Sequence, residues 1–215
     1  MALTHAIYDL CAMPHYIEPL RSEAQTALAE TNGEWDLETV KKLKRLDSFL
    51  KESQRLNQST FRKLYCFHSS TIYSPGMYVV GFDRKVTSPI NLSDGTVLPR
   101  GATISMPGGL MARDSTYYSD PETFDGFRFF RPGDDSTNTQ QDYIGIEPGN
   151  ISWGSGRFTC PGRWYAAVMI KLVAAKLLLE YDVSFPEGQK ERPANLKYDT
   201  EVIPDMKQKI VLRKR

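Results

Sequence analysis

The sequence is poor in the features that would assign it quickly. Its 215 residues hold only three cysteines, Cys11, Cys66 and Cys160, far apart and odd in number, so a disulfide framework is excluded and a reducing compartment suits the chain. Net charge is almost absent, with 27 basic against 26 acidic side chains, which removes the electrostatic ground for a nucleic-acid partner. The one local excess, "KKLKR" at 41–45, reads as a solvated helix face. Long apolar runs are lacking too: Ala166 to Leu179 is interrupted by Lys171 and Lys176 and falls short of the roughly 20 residues that span a bilayer, so it is expected to be a core helix. No basic segment precedes the first dozen residues, where His5 and Asp9 break the apolar texture, so no signal peptide is expected. Without a secreted context, the sequons at Asn57, Asn91 and Asn150 predict no glycan. Internal repeats and low-complexity linkers are missing, which favours one domain over two.

What is present reads as helices, then a small sheet, then a long loop, then one buried helix and further strands. Leu3, Ile7 and Leu10 have helical spacing in 2–12, and Pro14 is placed to open a second helix. Another helix is expected over 19–30, stopped at Gly33, with Asp36 capping the next. Val40, Leu43, Leu46, Phe49 and Leu50 draw an apolar stripe along a single predicted helix, 37–56. "INLSDGTVLPRG" reads as a hairpin turning at Asp94-Gly95, and the last fifteen residues suggest an end strand. Between them lies an aromatic, proline-punctuated loop, "SDPETFDGFRFFRPGDD". The fold class is mainly α with a small β-sheet, α+β.

The most informative stretch is "WGSGRFTCPGRWYAA", 153–167. Pro161 suits the first turn of a helix, so the Cys160 thiol sits just before a helix start, where N–H groups and the helix dipole favour a thiolate. Donors are expected around Gly162 and Arg163, and Gly154 and Gly156 fit a tight turn passing close to something flat. One axial bond to a haem iron accounts for these features together. Three other readings stand beside it: a structural cysteine in a glycine-rich turn, a zinc site drawing on "CFH" at 66–68 or "CAMPH" at 11–15, and a nucleophile served by His5, His15 or His68.

"WGSGRFTCPGR" resembles the haem-binding loop of cytochrome P450 enzymes, whose pattern is Phe-x-x-Gly-x-(His/Arg)-x-Cys-x-Gly. The resemblance places Trp153 at the aromatic position, Gly156 and Gly162 at the fixed glycines, and Cys160 as axial ligand. Phe158 stands where the family has a basic residue for a haem propionate, leaving Arg157 beside it and Arg84, entering the first strand, as candidate propionate contacts. "KESQR" at 51–55 resembles the family's Glu-x-x-Arg helix, with Glu52 and Arg55 as the pair and Arg128 of "FDGFRFF" as the third member of a structural clamp. The texture is most similar to fungal, microsomal-type members, and to the C-terminal part of that fold only.

The resemblance implies a haem-thiolate monooxygenase that inserts one atom of dioxygen into a hydrophobic small molecule in fungal secondary metabolism. Its implied electron donor is an NADPH-dependent flavoprotein reductase, docking near Arg157, Arg163 and Lys171. An intact relative is implied at the cytosolic face of the endoplasmic reticulum. The alternative is a truncated, inactive fragment or a passive haem-binding module, cytoplasmic or unstable, with no catalytic residue of its own. "ALTHAIYDL" resembles the trailing half of the central helix, so the oxygen-activating acid–alcohol pair and the membrane anchor are expected to lie outside the chain, and Thr4 is a poor substitute. Residues 62–80 read as an insertion or a retained intron in one partial domain spanning 1–215.

Overall fold

The computed structural model describes residues 1–58, 82–133, 142–198 and 201–215. The expected insertion at 62–80, with Cys66 and His68, lies outside the described residues. The elements in chain order are α1 (Ala2–Ala12), α2 (Ile17–Glu30), α3 (Leu37–Lys42), α4 (Lys44–Leu56), β1 (Phe82–Lys85), β2 (Ile90–Asn91), β3 (Val97–Leu98), β4 (Thr103–Met106), α5 (Gly108–Met111), α6 (Arg163–Glu180), β5 (Tyr181–Ser184), β6 (Leu196–Tyr198), β7 (Glu201–Ile203) and β8 (Val211–Lys214). Among the described residues the strands pair antiparallel as four two-stranded ladders, β1 with β4, β2 with β3, β5 with β8 and β6 with β7. The expected α+β class is the one observed.

Local chemistry explains most boundaries. The chain turns out of α2 through Asn32 and Gly33, both at positive φ, while the Gly33 N–H donates to Leu28 O at 2.9 Å. Asp36 then accepts from Thr39 N at 2.8 Å and starts α3. In the predicted hairpin Ile90 faces Leu98 and Asn91 faces Val97, with Gly95 at φ +86° and Asp94 Oδ1 accepting from Thr96 N at 2.9 Å.

Two expectations are corrected. The single helix 37–56 is two helices, broken at Leu43 (φ −76°, ψ 69°). Its apolar stripe runs on through the break, because Val40, Leu43, Leu46, Phe49 and Leu50 are all buried. What stabilises the break is a carboxylate from another helix: Glu23 of α2 accepts from Arg45 N at 2.6 Å and Leu46 N at 2.9 Å, satisfying the first amides of α4. The second correction concerns α6. Only Ala167, Lys171, Ala174, Ala175 and Leu178 of this helix are buried, whereas Trp164, Tyr165, Met169 and Val173 lie exposed. No helix among the described residues is long and apolar enough to cross a membrane.

The main core joins α1, α2, α4 and α6 through Leu10, Leu20, Leu46, Phe49, Tyr143 and Leu178. Asn57 and Asn150 are buried, whereas Asn91 is exposed. Beside the core lies a buried polar knot that the apolar periodicity of α1 does not announce. Asp9 accepts from Ser53 Oγ at 2.5 Å and from Arg192 Nε, and Arg192 also reaches His5 Nδ1 at 2.9 Å. Asn195 completes it by donating to Asn57 Oδ1 at 2.7 Å. The knot therefore ties α1 to the end of α4 and to the segment before β6.

This knot carries a pH dependence with a defined sign. Burial, and then the Arg192 guanidinium, lower the His5 pKa from 6.5 to about 3, so the folded ring stays neutral where the unfolded one is charged. The contribution is fully present above pH 6.5 and is lost as pH falls toward 3, reaching about 2 kcal/mol at pH 5. Burial raises the Asp9 carboxyl, which works in the opposite direction because its folded form takes up a proton more readily. Denaturant titrations of wild type and His5→Gln from pH 4 to 7 isolate the histidine, since the Asp9 contribution is common to both. Wild type should lose more stability on acidification than the variant, and parallel profiles would contradict a neutral buried ring.

Candidate functional site

The cysteine loop is shaped by its own backbone. Gly154 adopts φ +80°, where a Cβ would stand 3.1 Å from Phe158 O, and Gly156 adopts φ +61° at the start of a short turn, Gly156–Phe158. Cys160 N donates to Trp153 O at 2.8 Å, closing the loop on itself. Trp153 is fixed from outside: its indole N–H donates to Tyr143 O at 2.7 Å, and its ring meets Tyr143 edge-on at 5.5 Å. Gly162 caps α6, and Arg163 begins it.

Cys160 is free and half-buried at the head of this helix. The donors expected to serve its sulfur act on its carbonyl instead, through Arg163 N at 3.4 Å and the Arg163 guanidinium at 3.0 Å. A Cβ at Gly162 would make ordinary contact with Cys160 Sγ, at 3.9 Å. Burial pushes the other described thiol, Cys11, up to about 12, which makes it inert beside Cys160. Of the histidines weighed as a base, His5 Nδ1 lies 2.9 Å from Arg192 Nη2 and His15 stacks on Tyr16, while His68 lies outside the described residues.

Arg84 and Arg157 converge on one ring. The Arg84 guanidinium, carried by β1, lies 4.4 Å from the centroid of Phe158, and that of Arg157 lies 4.9 Å from it. The ring itself is 59% exposed.

The clamp residues are brought together. Glu52, fully buried, accepts from Arg55 Nε at 2.7 Å and Arg55 Nη2 at 2.8 Å, from Arg128 Nε at 3.2 Å, and from Asp125 N at 2.9 Å. The outer N–H groups of both guanidiniums then organise the loop. Arg55 donates to the carbonyls of Ala112 and Pro121, and Arg128 to those of Ser119, Asp120 and Thr123. Gly126 passes against the helix where nothing larger fits, since a Cβ would stand 2.7 Å from Phe49 Cδ2.

Sequence reasoning missed the rest of this face of α4. Asp47 accepts from Tyr143 N at 2.6 Å and pairs with Lys171 Nζ at 2.9 Å, and Ser48 Oγ accepts from Phe129 N at 3.0 Å. Lys51, fully buried, pairs with Glu147 at 3.2 Å and lies 4.3 Å from the Phe129 centroid, with burial lowering its pKa. The i, i+4 recurrence of polar residues at 47, 48, 51, 52 and 55 is the signal that could have found them, because the face opposite the apolar stripe is also buried. Lys171 cannot belong to a docking surface, being 6% exposed and paired with Asp47.

Among the described residues, no group of three or more His, Cys, Asp or Glu side chains converges on a metal-sized site. The model of the Cytochrome P450 family matches residues 73–210. The chain belongs to the cytochrome P450 family. It is 39% identical to an "Ent-kaurene oxidase" of Gibberella intermedia, covering 100% of this chain and 38% of that relative. It is 38% identical to "Cytochrome P450 monooxygenase paxP" of Penicillium paxilli, covering 100% of the chain and 37% of the relative. An "Ent-kaurene oxidase" of Fusarium fujikuroi is 37% identical, with 38% of it covered. The chain thus spans about two fifths of the length of these P450 relatives, matching their C-terminal stretch.

Proposed function

We propose that this chain is the haem-thiolate portion of a fungal P450 monooxygenase, forming one partial domain that, taken by itself, binds haem without turning substrate over. The observation that carries the reading is a free, half-buried thiol on a glycine-turned loop whose Trp153 is held by Tyr143, which is itself bonded to Asp47 of α4. The residues fit the group: one soft donor, open space at Gly156, and the Arg157 guanidinium beside the loop.

Cys160 would hold the haem iron through its sulfur, and Trp153, held by Tyr143, would fix the loop that carries it. Gly154, Gly156 and Gly162 would let the backbone pass close to the macrocycle, while Arg84 and Arg157 would meet its propionates. When bound, haem supplies the activation of dioxygen. The chain's own part is to present the sulfur at a fixed distance, keep the loop from collapsing and anchor the macrocycle edge. Glu52, Arg55 and Arg128 act through the loop and touch neither haem nor substrate. In the longer protein, a reductase would approach over Arg157 and Arg163, with Lys171 removed from that surface. A hydrophobic small molecule is the substrate class, and ent-kaurene is the first compound to try, on the strength of the relatives' names.

The test is the carbon monoxide difference spectrum of the reduced chain after reconstitution with haem. Wild type should show the red-shifted Soret band of thiolate ligation, and Cys160→Ala should lose it entirely while keeping the far-ultraviolet dichroism of the folded chain. An unshifted wild-type band would overturn Cys160 as ligand. Turnover of ent-kaurene by the chain alone with reductase and NADPH would overturn the assignment as a passive module.

A further inference from the structure

A cavity of about 280 Å³ lies where α2, α3 and α4 meet the aromatic loop at Phe130. That is just below the span of ordinary small-molecule sites, about 300–1,000 Å³, so a ligand of roughly ten heavy atoms is the size that fits. Four charged side chains line it, and three are already engaged. Glu23 accepts from Arg45 N and Leu46 N, and Lys42 pairs with Glu30 at 2.7 Å. The fourth, Arg45, has no carboxylate partner among the described residues. Its half-buried guanidinium lies 5.1 Å from the centroid of Phe130, whose ring in turn rests against Phe127. The ring steadies the cation but supplies no oxygen for its N–H donors. Ser22 and Thr26, one turn apart on α2, bring two hydroxyls to the same cavity, and neither has a partner among the described residues. The cavity thus holds an aromatic face, a fork of unused donors and two hydroxyls, while its acidic groups are already spent.

We infer that this cavity is a binding site for a small aromatic carboxylate. The carboxylate would take the Arg45 fork in the bidentate geometry that a planar guanidinium matches, and the Ser22 and Thr26 hydroxyls would donate to the same oxygens. The ligand's ring would pack on Phe130. A phosphate monoester brings more negative charge than one fork balances, because Glu23 and Glu30 line the same space. The site shares no residue with the Cys160 loop, so it stands or falls independently of the haem reading.

Saturation-transfer NMR on the full chain tests the assignment, with benzoate as the probe and benzamide as its uncharged isostere. Benzoate should bind with a Kd on the order of 1 mM, and benzamide about tenfold more weakly. Arg45→Gln should weaken benzoate about tenfold and bring it level with benzamide. Its far-ultraviolet dichroism should be unchanged, because the backbone amide at this position still meets Glu23. Phe130→Leu should weaken both compounds alike, and Thr26→Val should cost benzoate about threefold, the order of one hydroxyl hydrogen bond. Lys41→Gln removes an exposed charge from the same basic run without touching the cavity, and should change nothing. Equal binding of the two compounds by wild type, no transfer to either, or full benzoate affinity in Arg45→Gln would each overturn the site. So would an equal loss in Lys41→Gln, which would mark diffuse attraction to a basic surface.

Discussion

Glu52→Gln should destabilise the chain by about 3–5 kcal/mol, the range for removing one partner of a buried ion pair, and lower its Tm by about 6–20 °C. The two carboxylate oxygens of Glu52 accept from two guanidiniums and a backbone amide, with both Glu52 and Arg55 fully buried. An amide in its place turns one acceptor into a donor facing other donors, and leaves two positive charges without a counterion. The loss should not be confined to α4, because the same guanidiniums hold the carbonyls of residues 112–123. Hydrogen exchange should therefore rise through the segment around Thr123 and Asp125 as well as in the helix. A loss below about 1 kcal/mol, the level of a surface pair, would contradict the buried clamp.

Asp47→Ala should cost a similar amount, about 3–5 kcal/mol, and here the sign of a second change is the sharper measurement. Asp47 neutralises Lys171, whose side chain is 8% exposed, and accepts from Tyr143 N at 2.6 Å. Its removal leaves an ammonium in the core between α4 and α6 and an amide without its acceptor. Adding Lys171→Met removes the stranded charge while keeping the stem's volume. The double variant should recover part of what the single one loses, leaving mainly the cost of the unpaired Tyr143 amide, about 1–3 kcal/mol. Losses that simply add would show that Asp47 and Lys171 are not coupled, and the reading of Lys171 as a core charge neutralised by Asp47 would be wrong.

The parts legible in the sequence are those written in short-range chemistry. The Gly33 stop, the Asp36 cap and the Asp94-Gly95 turn are each decided by residues within a few positions of one another. Glu52, Arg55 and Arg128 were legible for another reason, since a family pattern supplied a long-range pairing that spacing alone could not. The break at Leu43 was hidden because its stabilising carboxylate, Glu23, sits in a different helix. Lys171 looked like a surface charge in an apolar run, and only the three-dimensional neighbourhood of Asp47 shows it to be interior. The burial of His5 and Asp9 was hidden because their partners lie far along the chain, at Ser53 of α4 and at Arg192. The exposed row on α6 was invisible to periodicity, because that helix carries apolar residues all round.

The cap that Glu23 places on α4 has a consequence for biosynthesis. A helix normally finds its first acceptor next door, whereas α4 takes its own from a segment translated 22 residues ahead of Arg45. On the ribosome that end of α4 can be fixed as soon as it emerges, while Arg128 has yet to be translated and Glu52 has Arg55 alone for company. For that interval the nascent chain holds a seated helix with a half-neutralised carboxylate waiting on its far side, a vectorial order in which the second guanidinium joins only once residue 128 has emerged.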